Sequence, residues 1–308
     1  MTALAGGVGG ARLADGLART LDSGSLTVIV NTGDDFDHFG LRICPDLDTV
    51  CYTLAGLENP ETGWGRVDET WAVMREVEGL GGPGWFRLGD RDLATSLERT
   101  RLLGEGFTVS QITSRFCASW GLDTRIIPMS DMDAPTTVMT DVGELEFQDY
   151  FVRRRCEPRV RGFRFGGGNG IEPAPGVFEA LEEADLIIIC PSNPWVSVDP
   201  ILSINGVRSR LESSTVIAVS PIIGGEAVKG PAAKMFRELS IDPTPLAVAA
   251  HYAPFLDGLV LDQVDESHSG PARESGLATL VTNTWMKSRS DRVSLARRTI
   301  EFGKAMTR

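Results

Sequence analysis

Thr2-Ala3-Leu4-Ala5-Gly6-Gly7-Val8-Gly9-Gly10-Ala11-Arg12 decides the reading of this chain. A short apolar stretch suited to a strand runs into a glycine turn. Ala11 to Leu21 then has helical spacing, and Leu26 to Asn31 is β-rich, which together make a β-α-β unit. Units of the same form recur at Leu186 to Cys190 with Pro191-Ser192-Asn193-Pro194, and at Val216 to Ser220 with Pro221-Ile222-Ile223-Gly224-Gly225. Their repetition predicts an α/β fold, a Rossmann-like parallel sheet wrapped by helices. Between the halves, residues from about Asp48 to Gly121 read as mostly helical, with apolar positions such as Ile112, Phe116 and Trp120 on one face. This stretch is expected to be an insertion within one domain spanning 1–308, forming a lid or acceptor-site layer. Ile126 to Met129, Thr136 to Thr140 and Glu144 to Phe151 read as short strands. The basic run Arg153 to Arg164 leads into Gly166-Gly167-Gly168-Asn169-Gly170, which reads as a surface turn.

At 308 residues and 42% hydrophobic composition, the chain can bury a substantial core. It shows no basic segment followed by an apolar one at its start and no run of about 18 apolar residues, so a cytoplasmic protein without a membrane span is expected. Thirty basic against 42 acidic residues leave a formal charge of −12, which disfavours nucleic acid and anionic membranes as partners. An anionic substrate must then meet backbone donors, a few local cations or a divalent metal. The five cysteines form no C-x-x-C pair and read as buried free thiols, and the three histidines are too dispersed for a histidine-metal site.

Glycines directly after a strand let backbone N–H groups approach a phosphate at the positive end of the following helix. Taken alone, the cluster is the best phosphate-binding candidate in the chain, with a tight strand-to-helix turn without a ligand as the alternative. It is not the dinucleotide fingerprint, because Arg12 stands where a third glycine is required, and it lacks the Gly-Lys-Ser/Thr of a P-loop. Asn31-Thr32-Gly33-Asp34-Asp35 closes the second strand, and Cys44-Pro45-Asp46-Leu47-Asp48-Thr49 opens a helix. Carboxylates gathered at strand ends suit Mg²⁺, although Asp46 or Asp48 also suits a helix cap. Arg87-Leu88-Gly89-Asp90-Arg91-Asp92 places both charges at another helix entrance. Trp64, Trp71 and Trp85 are available to stack on a flat ring or to pack a core. Pro191-Ser192-Asn193-Pro194 and Gly224-Gly225, with Lys229 and Lys234 downstream, form a third phosphate or nucleoside candidate.

Together, Gly6 to Arg12, Asn31 to Asp35, Pro45 to Thr49, Leu88 to Asp92, Pro128-Met129-Ser130-Asp131, Pro191 to Pro194 and Ser220 to Gly224 resemble the 2-phospho-L-lactate transferases, in family order. The resemblance implies a guanosine diphosphate-linked three-carbon acid as donor and the deazaflavin riboside FO as acceptor. GMP leaves as the phospho-acid joins FO in coenzyme F(420) biosynthesis. It implies nucleotide contacts at Gly7, Val8, Gly9, Gly10, Arg12, Ser192, Asn193 and Gly224, and acceptor contacts at Asp48, Arg87 and Asp90. Asp34, Asp35 and Asp48 are the expected Mg²⁺ ligands, Asp48 and Asp35 the expected catalytic aspartates, and a homodimer the expected assembly. Arg87 departs from a lysine in archaeal relatives, and Gly225 stands where other members vary. The wording of Gly7 to Arg12 and Arg42 to Asp48 is similar to a bacterial branch whose donor acid is expected to be enolpyruvyl. The related gluconeogenesis-factor proteins, which resemble non-enzymatic nucleotide-sugar binders, share the glycine start and the paired aspartates. They differ from this chain at Pro45 to Thr49 and lack the Leu-Gly-Asp-Arg-Asp run. An acceptor that is another flavin-like alcohol is also open.

Overall fold

Seven strands, all parallel, form the central sheet of the computed structural model, which describes residues 1–166 and 170–307. They are β1 (Thr2–Ala5), β2 (Thr27–Val30), β3 (Arg125–Pro128), β4 (Ile187–Ile189), β5 (Val216–Val219), β6 (Gly258–Asp262) and β7 (Ala278–Thr282). Their spatial order is 3-2-1-4-5-6-7, the doubly wound order with one further strand. β1 therefore lies between β2 and β4, with Leu4 paired to Ile29 on one side and Ile189 on the other. This is the point where strand order reverses, and a crevice opens there at the carboxyl ends.

The strands read as near-continuous apolar runs because both faces are covered. Leu4 points into a core layer containing Trp195, Phe236 and Tyr252. Ala3 and Ala5 point the other way, toward α1 (Gly7–Ala18) and the C-terminal helix Arg289–Lys304, through Ala14, Leu17 and Ala296. Small residues on that face let α1 lie close to the sheet. Gly16 carries the same logic one layer out, since a Cβ there would overlap the Arg292 carbonyl.

The helical stretch resolves into α2 (Pro45–Ala55), α3 (Ala72–Gly79), α4 (Asp90–Gly104) and α5 (Val109–Ser119). α2 begins at Pro45, as read from the sequence, with Asp46 and Asp48 in its first turn, and stops at Gly56 with φ 68°. α5 opens with a capping box between Thr108 and Gln111. Two expectations fail on the far side of β3. The strand read across Glu144 to Phe151 is only Gly143–Glu146, after which the chain coils into the turn Asp149–Arg153. The basic run read as leading to a loop contains a strand, Val160–Phe165, paired antiparallel with Thr136–Thr140. Gly162 interrupts its alternation, which masks the two-residue period. Gly167, Gly168 and Asn169 of the expected surface turn lie outside the described residues. Among those residues, no helix is long and apolar enough to cross a membrane.

Gly16→Ala is expected to destabilise the protein by about 2 kcal/mol, because the new methyl meets helix backbone that can yield only by shifting the Arg289–Lys304 helix. Urea unfolding that leaves the midpoint unchanged would show that the two helices are less closely seated than described.

Candidate active site

The carboxyl ends of β1, β2, β4 and β5 and the loop after β7 surround a cleft of about 530 Å³, closed on its outer side by α2, the 62–65 turn and the 86–92 segment. Its floor is the glycine loop. Gly6 is extended and Gly7 takes φ +61°, so α1 starts at the cleft, which Gly7, Val8 and Gly9 line. The Gly7 amide donates to Asp46 Oδ1 at 2.7 Å. On the opposite side a Cβ at Gly9 would overlap the Pro191 carbonyl oxygen, and one at Gly10 would come within 2.6 Å of Ser192 Oγ. Ser192 Oγ itself donates to the Gly6 carbonyl at 2.8 Å. The loop after β4 is thus pressed against the loop after β1, and the strand order supplies the adjacency that sequence spacing leaves open.

Asn31 ties β2 into the same floor. Its Oδ1 accepts from the Gly33 amide at 2.8 Å, and its Nδ2 faces Asp46 Oδ2 at 2.9 Å, Asp34 Oδ1 at 3.1 Å and the Val196 carbonyl at 3.1 Å. Asp34 and Asp46 are therefore neighbours across one amide group, and both line the cleft. Burial, then the charges of Asp46 and Asp35, raise the Asp34 carboxyl well above its ordinary range. Burial likewise lifts Asp46 to about 6, opposed by its bonds from Asn31 and Gly7. Asp35 is pushed to about 7 by burial, against the Cys44 thiol and the charges of Arg42 and Arg99, and one of its oxygens has no partner.

Asp48 lines the cleft from α2 and is held by the buried guanidinium of Arg99 on α4, which also donates to the Arg42 carbonyl at 3.2 Å. Asp92 stands on the same wall. Tyr52 donates its hydroxyl to it at 2.9 Å, and no cation lies within ion-pair distance of it among the described residues. Burial, then the Asp48 charge, bring Asp92 up to about 7.

The residues expected from sequence fall into two groups. Gly7, Val8, Gly9, Arg12, Asp34, Asp48, Arg87 and Asn193 line the cleft. Gly10, Ser192, Asp35, Gly224 and Asp90 do not, and each has a structural engagement that accounts for its position. Gly10 and Ser192 form the packed joint beneath the loop, and Asp35 lies behind the wall beside Cys44. Gly224 takes φ +57° and donates to Asp265 at 2.9 Å, leaving Ser220, Pro221 and Ile223 at the cleft. Asp90 turns outward to cap α3, accepting from the amides of Ala72 at 3.0 Å and Val73 at 3.1 Å and from Thr70, so Asp92 takes the inward position. Arg87 stacks over Trp71, 4.9 Å from the ring centre. Trp64 lines the cleft, whereas Trp85 packs with Phe36, His38 and Phe86. Lys234 pairs with Glu238 at 2.6 Å, while Lys229 lines the cleft. Phe147 and Phe151, stacked with centres 5.4 Å apart, add a flat apolar wall, and Trp285 lines the cleft from the loop after β7. Four of the five cysteines are buried, Cys156 only partly, and all are free.

Four buried carboxylates, Asp34, Asp35, Asp46 and Asp48, and the half-buried Asp92 crowd this region against the buried Arg99 and the half-buried Arg42 and Arg66. That imbalance fits a divalent cation shared with substrate phosphates. Among the described residues no three acidic, histidine or cysteine side chains are grouped so as to hold a metal ion by themselves.

Comparison with known proteins adds the following. The family model described as 2-phospho-L-lactate transferase CofD matches residues 1–297. The phosphoenolpyruvate transferase of Streptomyces griseus subsp. griseus is 41% identical over 307 residues, 97% of this chain and 96% of that one. The 2-phospho-L-lactate transferase of Methanothermobacter thermautotrophicus is 40% identical over 299 residues, 96% of each chain. Among solved structures, a UPF0052 family protein from Bacillus halodurans superposes with a TM-score of 0.64 over 97% of both chains at 14% identity, a likeness of fold.

A folded pKa above the unfolded carboxylate value of about 4 means that Asp92 stabilises the fold only while protonated. That contribution is complete below about pH 4 and is lost as pH rises through about 7. Asp92→Asn still accepts from Tyr52 but has no charge to bury. Without ligands it should be more stable than the parent at pH 8, by on the order of 2 kcal/mol, with the difference closing toward pH 4. Equal urea midpoints at pH 8 would contradict the buried-charge account.

Proposed function

This chain belongs to the 2-phospho-L-lactate transferase CofD family, and from that premise we propose that it transfers a phospho-three-carbon-acid group from a guanosine diphosphate-linked donor to FO, releasing GMP, in coenzyme F(420) biosynthesis. We take enolpyruvate as the acid. The observation that carries the reading is the convergence, at the reversal of strand order, of an anion-binding glycine loop, a carboxylate wall and a flat aromatic wall in one cleft. The diphosphate suits the amides at the start of α1, beside Asn193 and the Ser220 to Ile223 turn. The deazaflavin ring suits the Phe147, Phe151 and Phe86 side, with Arg87 at its edge.

In this reading the terminal ribityl hydroxyl of FO attacks the phosphorus that bears the acid. A new P–O bond forms, the P–O bond to GMP breaks in line, and the hydroxyl proton passes to a carboxylate. Asp34 and Asp48 are the residues that would hold Mg²⁺. When bound, the ion would neutralise diphosphate charge and stabilise the leaving GMP. The proton acceptor best supported is Asp92. Asp48 is committed to Arg99, which fixes its position and opposes the rise that burial imposes on its carboxyl, whereas Asp92 has only the Tyr52 hydroxyl on it and titrates near the operating pH. Arg99 and Tyr52 thus position the two carboxylates, and closure of the cleft around FO would exclude water from the phosphorus.

Purified protein incubated with FO, Mg²⁺ and, in turn, the enolpyruvyl, lactyl and glyceryl guanosine diphosphate donors should release GMP and form a heavier deazaflavin product from the enolpyruvyl donor. Product from the lactyl donor alone would reassign the acid, and a tight nucleotide-sugar complex without turnover would replace the transferase reading. Asp92→Asn should lower kcat by roughly 10²-fold with little change in the KM for FO. A kcat within threefold of the parent would remove Asp92 from the proton transfer.

A further inference from the structure

One corner of the cleft is not explained by phosphate binding at the glycine loop. Arg12, the residue one turn into α1, reaches the loop after β7, where Nη1 donates to the Met286 carbonyl at 3.3 Å. That loop is held by Asp262, which accepts from the Thr284 amide at 2.7 Å and from its hydroxyl at 3.1 Å. Arg12 Nε is buried without a partner. Lys229 comes from the other side, with Nζ bonded to the Thr62 carbonyl. Val8 and Nζ of Lys229 both close on Gly63, within 2.7 Å and 3.2 Å of where its Cβ would lie, so this corner is continuous with the glycine loop.

Neither cation has a carboxylate within ion-pair distance among the described residues. The nearby Arg292 is neutralised by Asp15 at 3.0 Å and Glu58 at 3.2 Å, so Glu58, which also faces Arg12, is already engaged. Burial, then Arg292, lower the Arg12 pKa, and burial, then Arg12, lower that of Lys229. In a chain of net charge −12, two cations that oppose each other at the edge of a cleft, with no protein anion on either, are arranged for an anion brought by a ligand.

We infer that Arg12 and Lys229 form a two-cation cradle for the carboxylate of the transferred three-carbon acid. The inference rests on the transferase reading above. The amides of the glycine loop serve the diphosphate, so the acid carboxylate is the remaining anion of the donor, and it lies only a few atoms from the reacting phosphorus. An acid lacking its carboxylate should then bind no better than GDP. The cradle would also fix the rotation of the acid about its phosphate, which places Arg12 and Lys229 among the residues that set donor specificity.

The test is calorimetric binding of GDP and of the enolpyruvyl guanosine diphosphate donor, without FO, to the parent, Lys229→Met, Lys229→Arg and Arg12→Met. The Lys229→Met and Arg12→Met proteins should lose roughly 10- to 100-fold in donor affinity and less than about threefold in GDP affinity, with Lys229→Arg close to the parent. Equal losses for donor and GDP would assign the cradle to the diphosphate and overturn the carboxylate reading. Donor affinity unchanged in both methionine variants would overturn the site altogether. Turnover of donor and FO by the parent separates the two claims. Its absence contradicts the transferase function, whereas turnover with unshifted donor affinity contradicts only the cradle.

Discussion

The hydrogen bond from the Gly7 amide to Asp46, closed from the opposite side by the Pro191 carbonyl over Gly9, fixes where a cleft can exist in this fold. It joins the loop after β1 to α2 and sets that loop directly against the one after β4. Asn31 then ties the loop after β2 to the same carboxylate. Three strand ends are thereby locked into one floor, and side chains larger than hydrogen are excluded from Gly6, Gly9 and Gly10 by backbone and by short, packed side chains. Beyond the Gly7 amide, which Asp46 takes, the start of α1 lies at the cleft through Val8 and Gly9.

That floor is electrostatically uncomfortable in the free protein. Asp34, Asp35, Asp46 and Asp92 all have carboxyls raised by burial, and only Asp48 has a dedicated guanidinium. Such crowding costs stability and is retained where chemistry needs it. The opposite corner carries the complementary excess, with Arg12 and Lys229 unneutralised. A ligand with both a metal-bound diphosphate and a carboxylate would relieve both at once, which connects the energetics of the cleft to the chemistry of the proposed donor.

The sheet and the glycine loop at the floor of the cleft were legible in sequence because each is local. A strand, a glycine turn and a helix follow one another within 20 residues, and paired glycines have few other uses after a buried strand. The carboxylate wall was legible only in part. Asp90 and Asp92 are equivalent by spacing, and only the cap on α3, 18 residues upstream, shows which one turns away. Arg99 sits in a charged helical run whose sequence does not single it out. Its burial beside Asp48 depends on α4 packing against the short strand Leu41–Ile43 that precedes α2, and the pair it makes spans 51 residues, which no local pattern encodes. Lys229 and Lys234 looked alike until Glu238, one helical turn on, claimed the second. The strand Val160–Phe165 was hidden by Gly162 within its period.

The central claim is that carboxylates held partly protonated in the free cleft are ionised when the proposed cation and the diphosphate arrive together. Titration calorimetry of Mg²⁺ with GDP into the protein at about pH 6.5, repeated in buffers of different ionisation enthalpy, counts the protons exchanged on binding. The account predicts net release of protons, reduced in Asp46→Asn and Asp92→Asn. Binding with no proton exchange, or with uptake, would contradict it.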